Sequence, residues 1–380
     1  MSVADLLQGK RVCVCGGSGG VGKTTTAAAV ALGMAARGAK VAVVTIDPAQ
    51  RLANALGLQE LDNEPRRVEP ERLGKPFTGE LWAMMLDPKR TFDELIERIA
   101  ADPGRAEEIK ANRVYRELST AVSGSQEFTA VAKLYELQRE GNFDLLVLDT
   151  PPSRNALDFL DAPGRLTSFL DGRGLRAFIR PTGLGVRGLL RGAAPLLGGL
   201  RRVTGVDLVS DLSTFFGLLG DMTDDFSQRA AAVEAMLKAP TSAFVLVTSA
   251  QAAAIDEAIW FRRTLDEGGL PFAGVIVNRY HHDVIGDTEV GDVVAQLRQS
   301  LPAGLAGRVA ANFDDYHLLA RRDRRNVARL VSELGDTGRH PILVPQLDDD
   351  VHDVPGLERV RRYLFASDAE RETLIAELVA

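Results

Sequence analysis

Residues 17–24, with the sequence GSGGVGKT, combine glycines, a lysine and a threonine at the spacing typical of a phosphate-binding loop. Glycines allow successive backbone N–H groups to converge on phosphate oxygens without Cβ clashes. A helical pattern follows, and its N-terminus should add partial positive charge at the same place. We expect Lys23 to reach the β- and γ-phosphates of a nucleotide, where it also serves catalysis, and the Thr24 hydroxyl to hold Mg²⁺. The predicted nucleotide contacts of the loop are Gly17, Gly19, Gly20, Val21, Gly22, Lys23, Thr24 and Thr25.

The same loop also fits the dinucleotide-binding pattern G-x-G-x-x-G, which runs here from Gly17 to Gly22. Asp47 even stands near the position at which such folds carry an acid for the ribose. Lys23 and Thr24 nevertheless favour the phosphate-binding loop, because a dinucleotide site uses neither a lysine nor a magnesium ligand at those positions.

Two acids stand at the ends of apolar runs that are typical of strands. Asp149 ends the run 143–149 and is expected to anchor the Mg²⁺ shell through a bound water. Asp47 ends the run 40–47 and is expected to orient the water that attacks the γ-phosphate. An alternative role for Asp47 is to cap the helix that follows.

Strand-like runs alternate with helical patterns along much of the chain. The predicted strands are 11–16, 40–47, 81–86, 143–149, 243–249 and 272–278, and the predicted helices are 23–37, 89–100, 126–140 and 251–267. This alternation predicts an α/β fold, a P-loop NTPase with a mostly parallel, doubly wound sheet and an inserted helical subdomain. Ligands of such sheets bind at the carboxyl ends of the strands, so the loop, Asp47, Asp149 and Asn278 should converge.

The predicted organisation is an ATPase core in two parts, 1–160 and 241–380, interrupted by a helical subdomain at 161–240. The strand signal stops in that insertion, and its stretch 173–206 contains seven arginines and no acid, interspersed with leucine and glycine. We expect this stretch to belong to a mobile helical subdomain that is inserted into the α/β domain.

Composition narrows the class of protein. At 380 residues and 45 % hydrophobic, the chain is long enough for one large α/β domain with insertions, or for two domains. A net charge of −7 gives no reason to expect a nucleic-acid partner. Cys13 and Cys15 are expected to be buried apolar residues in the strand before the loop. Without a signal pattern or an apolar run of about 18 residues, we expect a cytoplasmic protein, with peripheral membrane binding as an option.

The late part of the chain carries candidates for recognition of the base. Guanine recognition normally uses Asn-Lys-x-Asp, whereas Asn278 is followed by Arg279 and by His281, so ATP is favoured over GTP. Pro345 and Leu347 could flank a base. His281 and its neighbour His282 have no acid or cysteine at ligand spacing, so a surface loop is favoured over a metal site there.

The chain resembles the ArsA/Get family of P-loop ATPases, which contains arsenite-pump ATPases and ATPases that target tail-anchored membrane proteins. The resemblance rests on six ordered motifs: GSGGVGKTTT, TIDPAQRLANALG, LWAMMLDP, DTPPSRNALDFLDAP, VIVNR and VPQLDDDV. It implies ATP and Mg²⁺ as cofactors, with Asp47 activating water and 149–153 forming the second switch segment. It also implies that Asn278, Pro345 and Leu347 hold the adenine.

The resemblance further implies a nucleotide-gated dimer whose inserted helices form a client groove or lid. These helices would handle an apolar membrane-protein helix or a membrane-associated partner. The family's signature lysine is replaced here by Ser18, which removes a cationic stabiliser of the transition state. A heterodimer with a lysine-bearing paralogue, or a homodimer in which Arg51 or Arg154 substitutes for that charge, would accommodate the change. A scaffold of the Min/Par kind, or a regulatory subunit with little turnover, is the alternative. An arsenite-pump subunit is disfavoured, because the cysteines that bind arsenite are missing.

Overall fold

The computed structural model describes residues 1–47, 49–73, 78–113, 115–116, 125–150, 223–285, 290–335 and 340–379. The rest of the predicted switch segment after Thr150, Arg154 and most of the predicted insertion, including 173–206, lie outside these residues. The chain divides into two compact units, one made of Met1–Met85, Gly141–Ala156 and Lys238–Ala380 and the other of Leu86–Glu140 and Leu157–Leu237.

In the described part of the first unit, eight strands form one sheet. They are β1 Val12–Gly16, β2 Lys40–Thr45, β3 Arg66–Arg67, β4 Glu80–Met85, β5 Leu145–Asp149, β6 Ser242–Ser249, β7 Phe272–Tyr280 and β8 Ile342–Pro345. Their order across the sheet is β3-β4-β2-β5-β1-β6-β7-β8. Only the short edge strand β3 runs antiparallel to its neighbour, so the predicted mostly parallel α/β sheet is confirmed.

The helices of the described residues alternate with these strands along the chain. In chain order they are α1 Val3–Leu6, α2 Lys23–Ala36, α3 Arg51–Ala55, α4 Pro88–Ile99, α5 Pro103–Ala111, α6 Ser125–Glu140, α7 Thr223–Lys238, α8 Ala252–Glu267, α9 Val290–Ser300, α10 Ala303–Leu334, α11 Val354–Phe365 and α12 Asp368–Val379. The predicted strands and helices agree with these bounds to within about two residues. One difference concerns the site, because β7 continues past Asn278 to Tyr280.

The central strands set the position of the site. β1, β2 and β5 are buried along almost their whole length, as expected for a parallel sheet covered on both faces. Their register places Thr45 of β2 and Cys15 of β1 on either side of Asp149 of β5. Cys13 and Cys15 are fully buried free thiols, which agrees with the prediction that they are core residues.

Helix α2 connects the glycine-rich loop to the core. Its residues from Thr26 to Gly33 are buried, and most of them are alanine or valine. Small side chains let a helix lie close to the strands beneath it. The helix also packs against α11, and Gly33 lies so close to Phe365 that a Cβ there would be 2.0 Å from the ring. The start of α2 is therefore held firmly at the carboxyl edge of the sheet.

The described part of the second unit is helical. Helices α4 and α6 pack against each other, and half-buried ion pairs accompany their apolar contacts. Lys133 of α6 lies 3.2 Å from Glu94 of α4, and Glu136 lies 3.0 Å from Arg98 and 3.5 Å from Arg229 of α7. Burial raises the pKa of Glu136, and the two arginines oppose that change.

Candidate functional site

The glycine-rich loop follows β1 directly and has a backbone that only glycine permits at two positions. Gly17 has φ 153°, and a Cβ there would lie 1.9 Å from the Val247 carbonyl oxygen. Gly22, the residue before α2, has φ 92°, and a Cβ there would lie 2.3 Å from Asn278 Nδ2. Because Gly22 has no side chain, it cannot accept hydrogen bonds from the first N–H groups of α2. These N–H groups can therefore bind an anion.

Lys23 is almost buried, with 6 % of its surface exposed, and folds back onto the loop. Its Nζ donates a hydrogen bond of 2.7 Å to the carbonyl oxygen of Ser18. Burial lowers the pKa of Lys23, while the negative charge of Asp149 acts in the opposite direction. The lysine thus spans the loop and presents its charge where phosphate oxygens would enter.

The magnesium ligands predicted from the sequence meet in the structure. Oδ2 of Asp149 accepts hydrogen bonds from Thr24 Oγ1 at 2.7 Å and from Thr45 Oγ1 at 2.9 Å. The carboxylate is 1 % exposed, and burial raises the pKa of Asp149 to about 6 against the effect of the two hydroxyls. Its Oδ1 is buried without a hydrogen-bond partner among the described residues. A hydroxyl beside a carboxylate with an unused oxygen fits a hydrated Mg²⁺, which prefers oxygen ligands and retains water.

Asp47 lies just past the end of β2 and has 17 % of its side chain exposed. Its Oδ1 accepts a hydrogen bond of 3.0 Å from the Ala49 N–H, and its Oδ2 lies 3.4 Å from Arg51 Nη1. The alternative capping role is wrong, because the N-cap residue of α3 is Gln50. The carboxylate faces the same cavity as Lys23 and Thr24, where it can accept a proton.

The base-binding candidates line the same cavity. Asn278 is buried and donates a hydrogen bond of 2.9 Å from Nδ2 to the Val21 carbonyl oxygen, so it also fixes the loop. Pro345 and Leu347 lie beside it, at the end of β8. Arg279 has φ 57° at an irregularity in the pairing of β7 with β8, which turns its side chain toward solvent.

A cavity of about 510 Å³ collects most of the predicted site residues. Its walls include Gly20, Gly22, Lys23, Thr24, Thr25, Asp47, Asn278, Pro345 and Leu347. Its volume is in the range of small-molecule sites. Gly19 and Val21 line a second cavity of about 460 Å³ on the opposite side of the loop, whereas Gly17 and Asp149 lie behind the loop and line neither.

A family model of ArsA ATPases, described as anion-transporting ATPases, matches residues 10–321. The chain belongs to the ArsA ATPase family. This membership confirms the resemblance drawn from the six sequence motifs.

Individual members of the ArsA ATPase family align with different shares of the chain. ATPase GET3 of Malassezia globosa is 31 % identical over 156 residues, which is 41 % of this chain and 43 % of that protein. The putative arsenical pump-driving ATPase 1 of Aquifex aeolicus is 30 % identical over 156 residues, 40 % of this chain and 38 % of that protein. ATPase get3 of Schizosaccharomyces pombe is 23 % identical over 305 residues, 80 % of this chain and 82 % of that protein. The alignments with the first two relatives thus span less than half of their length.

The residue that departs from the family's signature motif, Ser18, lines the second cavity. Its hydroxyl is buried and has no hydrogen-bond partner among the described residues, although its carbonyl oxygen holds Lys23. The side chain at this position therefore contributes no charge to the site. None of the helices in the described ranges is long and apolar enough to cross a membrane.

The second cavity contains a cluster that the sequence did not predict. Asp323 of α10 is fully buried, and its Oδ2 lies 2.8 Å from His281 Nδ1 and accepts a bond of 3.1 Å from the His281 N–H. Its Oδ1 accepts bonds of 3.0 and 2.8 Å from Arg322. The histidine pair lies in the irregular segment that follows β7, where both residues are partly buried and His281 is held by Asp323. No short-range pattern links residues so far apart in the chain, so the sequence carried no signal for this contact.

His282 should make stability depend on pH. Burial lowers the pKa of His282 to about 4 from its ordinary 6.5, with His281 adding to the effect, and its Nε2 has no hydrogen-bond partner among the described residues. The unfolded state therefore binds more protons between these two pH values, and the free energy of unfolding should fall as the pH drops through this window.

His282→Phe keeps an aromatic ring in contact with Tyr280. This substitution should remove the part of the fall in the free energy of unfolding that His282 causes at low pH. The check is urea denaturation at about pH 4.5 and about pH 7.5. The exposed His340→Phe serves as the control and should retain the wild-type loss. An unchanged pH dependence in His282→Phe would contradict the assignment.

Proposed function

We propose that this protein is a Mg²⁺-dependent ATP hydrolase. The observation that carries the proposal is the convergence of Lys23, the Thr24–Asp149 pair and Asp47 on one side of the sheet's carboxyl edge. Parallel sheets bind ligands at this edge, near the strand where the chain changes direction across the sheet. Here that strand is β1, which lies between β5 and β6 and leads into the loop.

Each residue has a role that follows from its chemistry. Lys23 would exchange its bond to Ser18 for the β- and γ-phosphate oxygens, and the N–H groups at the start of α2 would hold the same phosphates. Thr24 and Asp149 would hold Mg²⁺, which neutralises charge on the phosphates when bound. Asp47 would accept a proton from the attacking water and orient it.

Three other residues of the cavity support ATP as the nucleotide. Asn278 lines the cavity beside Pro345 and Leu347, which offer an apolar surface to an adenine ring. Its amide can bond the polar edge of the base only after turning from Val21, or with its remaining donor and acceptor.

We also propose that ATP controls a dimer and that the region 161–240 handles an apolar helix or a membrane-associated partner. The support for the dimer is membership in the ArsA ATPase family together with the resemblance to its targeting ATPases. The support for the partner is the composition of 173–206, in which arginines alternate with leucine and glycine. Cys13 and Cys15, fully buried in β1, are not available as arsenite ligands, which speaks against an arsenite-pump subunit.

Replacing Lys23 or Asp47 should separate binding from hydrolysis. Lys23→Ala should weaken ATP binding by about 10- to 100-fold, because a charge-assisted hydrogen bond is lost. Asp47→Asn should bind ATP normally and lower kcat by about 10²- to 10⁴-fold, the contribution of one general base. Calorimetric titration with ATP and a phosphate-release assay measure the two effects.

Asp62→Asn is the matched control for Asp47→Asn. Asp62 accepts a bond of 2.9 Å from the Glu64 N–H and pairs with Arg66 four residues later at 3.8 Å, as Asp47 does with Ala49 and Arg51, but it is outside the cavity. Wild-type turnover in Asp47→Asn would show that its catalytic assignment is wrong.

Ser18→Lys should raise the ATP turnover of the purified chain by about tenfold or more if the position faces charge in the transition state, since one such donor is typically worth at least that factor. Ser18→Ala, which deletes only the unpartnered hydroxyl, should leave turnover unchanged. Light scattering with ATP and with ADP measures assembly on the same samples. A strict monomer with every nucleotide would contradict the homodimer and leave a dimer with a lysine-bearing paralogue.

Residues 173–206 should become protected from hydrogen exchange when a partner is bound. The probes are vesicles with anionic lipid, toward which each arginine contributes about 1 kcal/mol, and a peptide with an apolar transmembrane helix. Neutral vesicles and a peptide of the same length with a polar helix are the controls. Absence of protection with both probes would contradict the partner-handling role.

A further inference from the structure

Two arginines of the described part of the chain, Arg51 and Arg279, line the 510 Å³ cavity. Arg51 pairs with Asp47, which lines the same cavity as Lys23 and Thr24. Arg279 lies 3.6 Å from Asp350 and also lines the second cavity, with Ser18 and Gly19. Arg51 is thus the arginine that is paired with the residue proposed to hold the attacking water.

The backbone of Arg51 is fixed while its guanidinium is free to turn. The preceding Gln50 has φ 54°, a left-handed conformation that sets the direction of the first turn of α3. The next residue, Leu52, is 1 % exposed and belongs to the main core. The Arg51 side chain itself is 65 % exposed. A rigid base under a mobile charged head is what a residue needs in order to change partner.

The partner that Arg51 has in this structure is replaceable. Its Nη1 lies 3.4 Å from Asp47 Oδ2, which is a long and solvent-screened contact. Ion pairs of this kind hold their partners weakly. Phosphate oxygens attract a guanidinium more strongly, because two parallel hydrogen bonds reach a more concentrated charge.

The charge around the cavity creates a need for a second cation. Lys23 is the buried cation of the loop, while Asp47, Asp349 and Asp350 also line the cavity. A nucleotide triphosphate brings several further negative charges. Arg51 lies close enough to Lys23 that, after burial, its charge also contributes to lowering the pKa of Lys23. Both cations would therefore act on the same group of phosphate oxygens.

We propose that Arg51 is a catalytic residue that exchanges Asp47 for the phosphates of the bound nucleotide. In the nucleotide-free protein it pairs with Asp47, as in this structure. With ATP bound, its guanidinium turns to the phosphate oxygens and leaves the Asp47 carboxylate free to hold water. The inference rests on the proposed ATPase function, since Asp47 and Lys23 define the reacting end.

The exchange places each charge where hydrolysis needs it. The water oxygen forms a bond to the γ-phosphorus, and the bond from that phosphorus to the β–γ bridging oxygen breaks, with its electron pair leaving on ADP. The water proton passes to Asp47 and from there to solvent. Arg51 stabilises the charge that develops on the phosphate oxygens, which is the role of a cation supplied in the same chain.

The test compares Arg51→Ala and Arg51→Lys with the matched control Arg66→Ala. Arg66 forms the same kind of pair with an aspartate four residues earlier but lies outside the cavity. Arg51→Ala should lower kcat by about 10²-fold or more, and added guanidinium should restore part of the loss. Arg51→Lys should be intermediate, because a point charge replaces a planar fork. Arg66→Ala should match wild type and should not respond to guanidinium.

Binding gives a readout that does not depend on turnover. We expect the affinity of Arg51→Ala for ADP to lie within about threefold of wild type. Aluminium fluoride should increase the affinity of wild type for ADP, and this increase should be smaller by about tenfold or more in Arg51→Ala. The ratio of the affinity for ATP to the affinity for ADP, measured in EDTA, should also be lower in Arg51→Ala than in wild type. Turnover and affinity ratios equal to or above those of wild type would overturn the inference, since Arg51 would then only restrain Asp47.

The two proposals fail in different ways. If neither wild type nor Ser18→Lys hydrolyses ATP, the proposed function is wrong, and the affinity ratios in EDTA still decide whether Arg51 contacts phosphate. If wild type hydrolyses ATP and Asp47→Asn does not, but Arg51→Ala behaves as Arg66→Ala, the function stands and the role of Arg51 is wrong.

Discussion

The burial of one carboxylate organises this site. Asp149 is almost inaccessible to water, and a buried carboxylate is tolerated only when hydrogen-bond donors replace its hydration. The donors here come from two separate elements, Thr24 at the start of α2 and Thr45 at the end of β2. Satisfying this one group therefore fixes the helix, the neighbouring strand and β5 relative to one another. Oδ1 of Asp149 has no partner among the described residues, and a hydrated cation would supply one.

The opposite flank of the loop has a second anchor. Asn278 on β7 donates a hydrogen bond to the Val21 carbonyl oxygen. The Asn278 side chain lies so close to Gly22 that no side chain fits at that position. Between these anchors, Lys23 bonds across to Ser18 and closes the loop on itself. A loop held at three points has little conformational entropy left to lose when a ligand binds. Its rigidity is built from strands β5 and β7, which lie on either side of β1 and its neighbour β6.

Much of this arrangement could be predicted from the sequence, because its signals are local or follow from topology. The spacing of Gly17, Lys23 and Thr24 predicted the loop, and the acids at two strand ends had to meet if the sheet was parallel. What the sequence could not give were contacts between distant segments. The pairing of His281 with Asp323 joins a strand end to the middle of a long helix, and nothing in the chain near either residue indicates the other. The N-cap of α3 was also missed, since an Asp before Pro is a common cap and the left-handed backbone of Gln50 has no sequence signature.

The lysine and the two arginines that line the cavity in the described part of the chain each have a partner before any nucleotide binds. Lys23 is bonded to a backbone carbonyl, Arg51 to Asp47 and Arg279 to Asp350. When a polyanion binds, these cations therefore exchange one partner for another, and no isolated charge is exposed or buried. The electrostatic contribution to the free energy of binding is moderate for this reason. The exchange has a second consequence, because each cation that turns to phosphate releases a group of the protein. For Lys23 the released group is a loop carbonyl, and for Arg51 it is the carboxylate best placed to hold water. Under the proposed exchange, nucleotide affinity and the state of the Asp47 carboxylate would be coupled through the same weak ion pair, and the high exposure of Arg51 indicates that this pair is easily broken and re-formed.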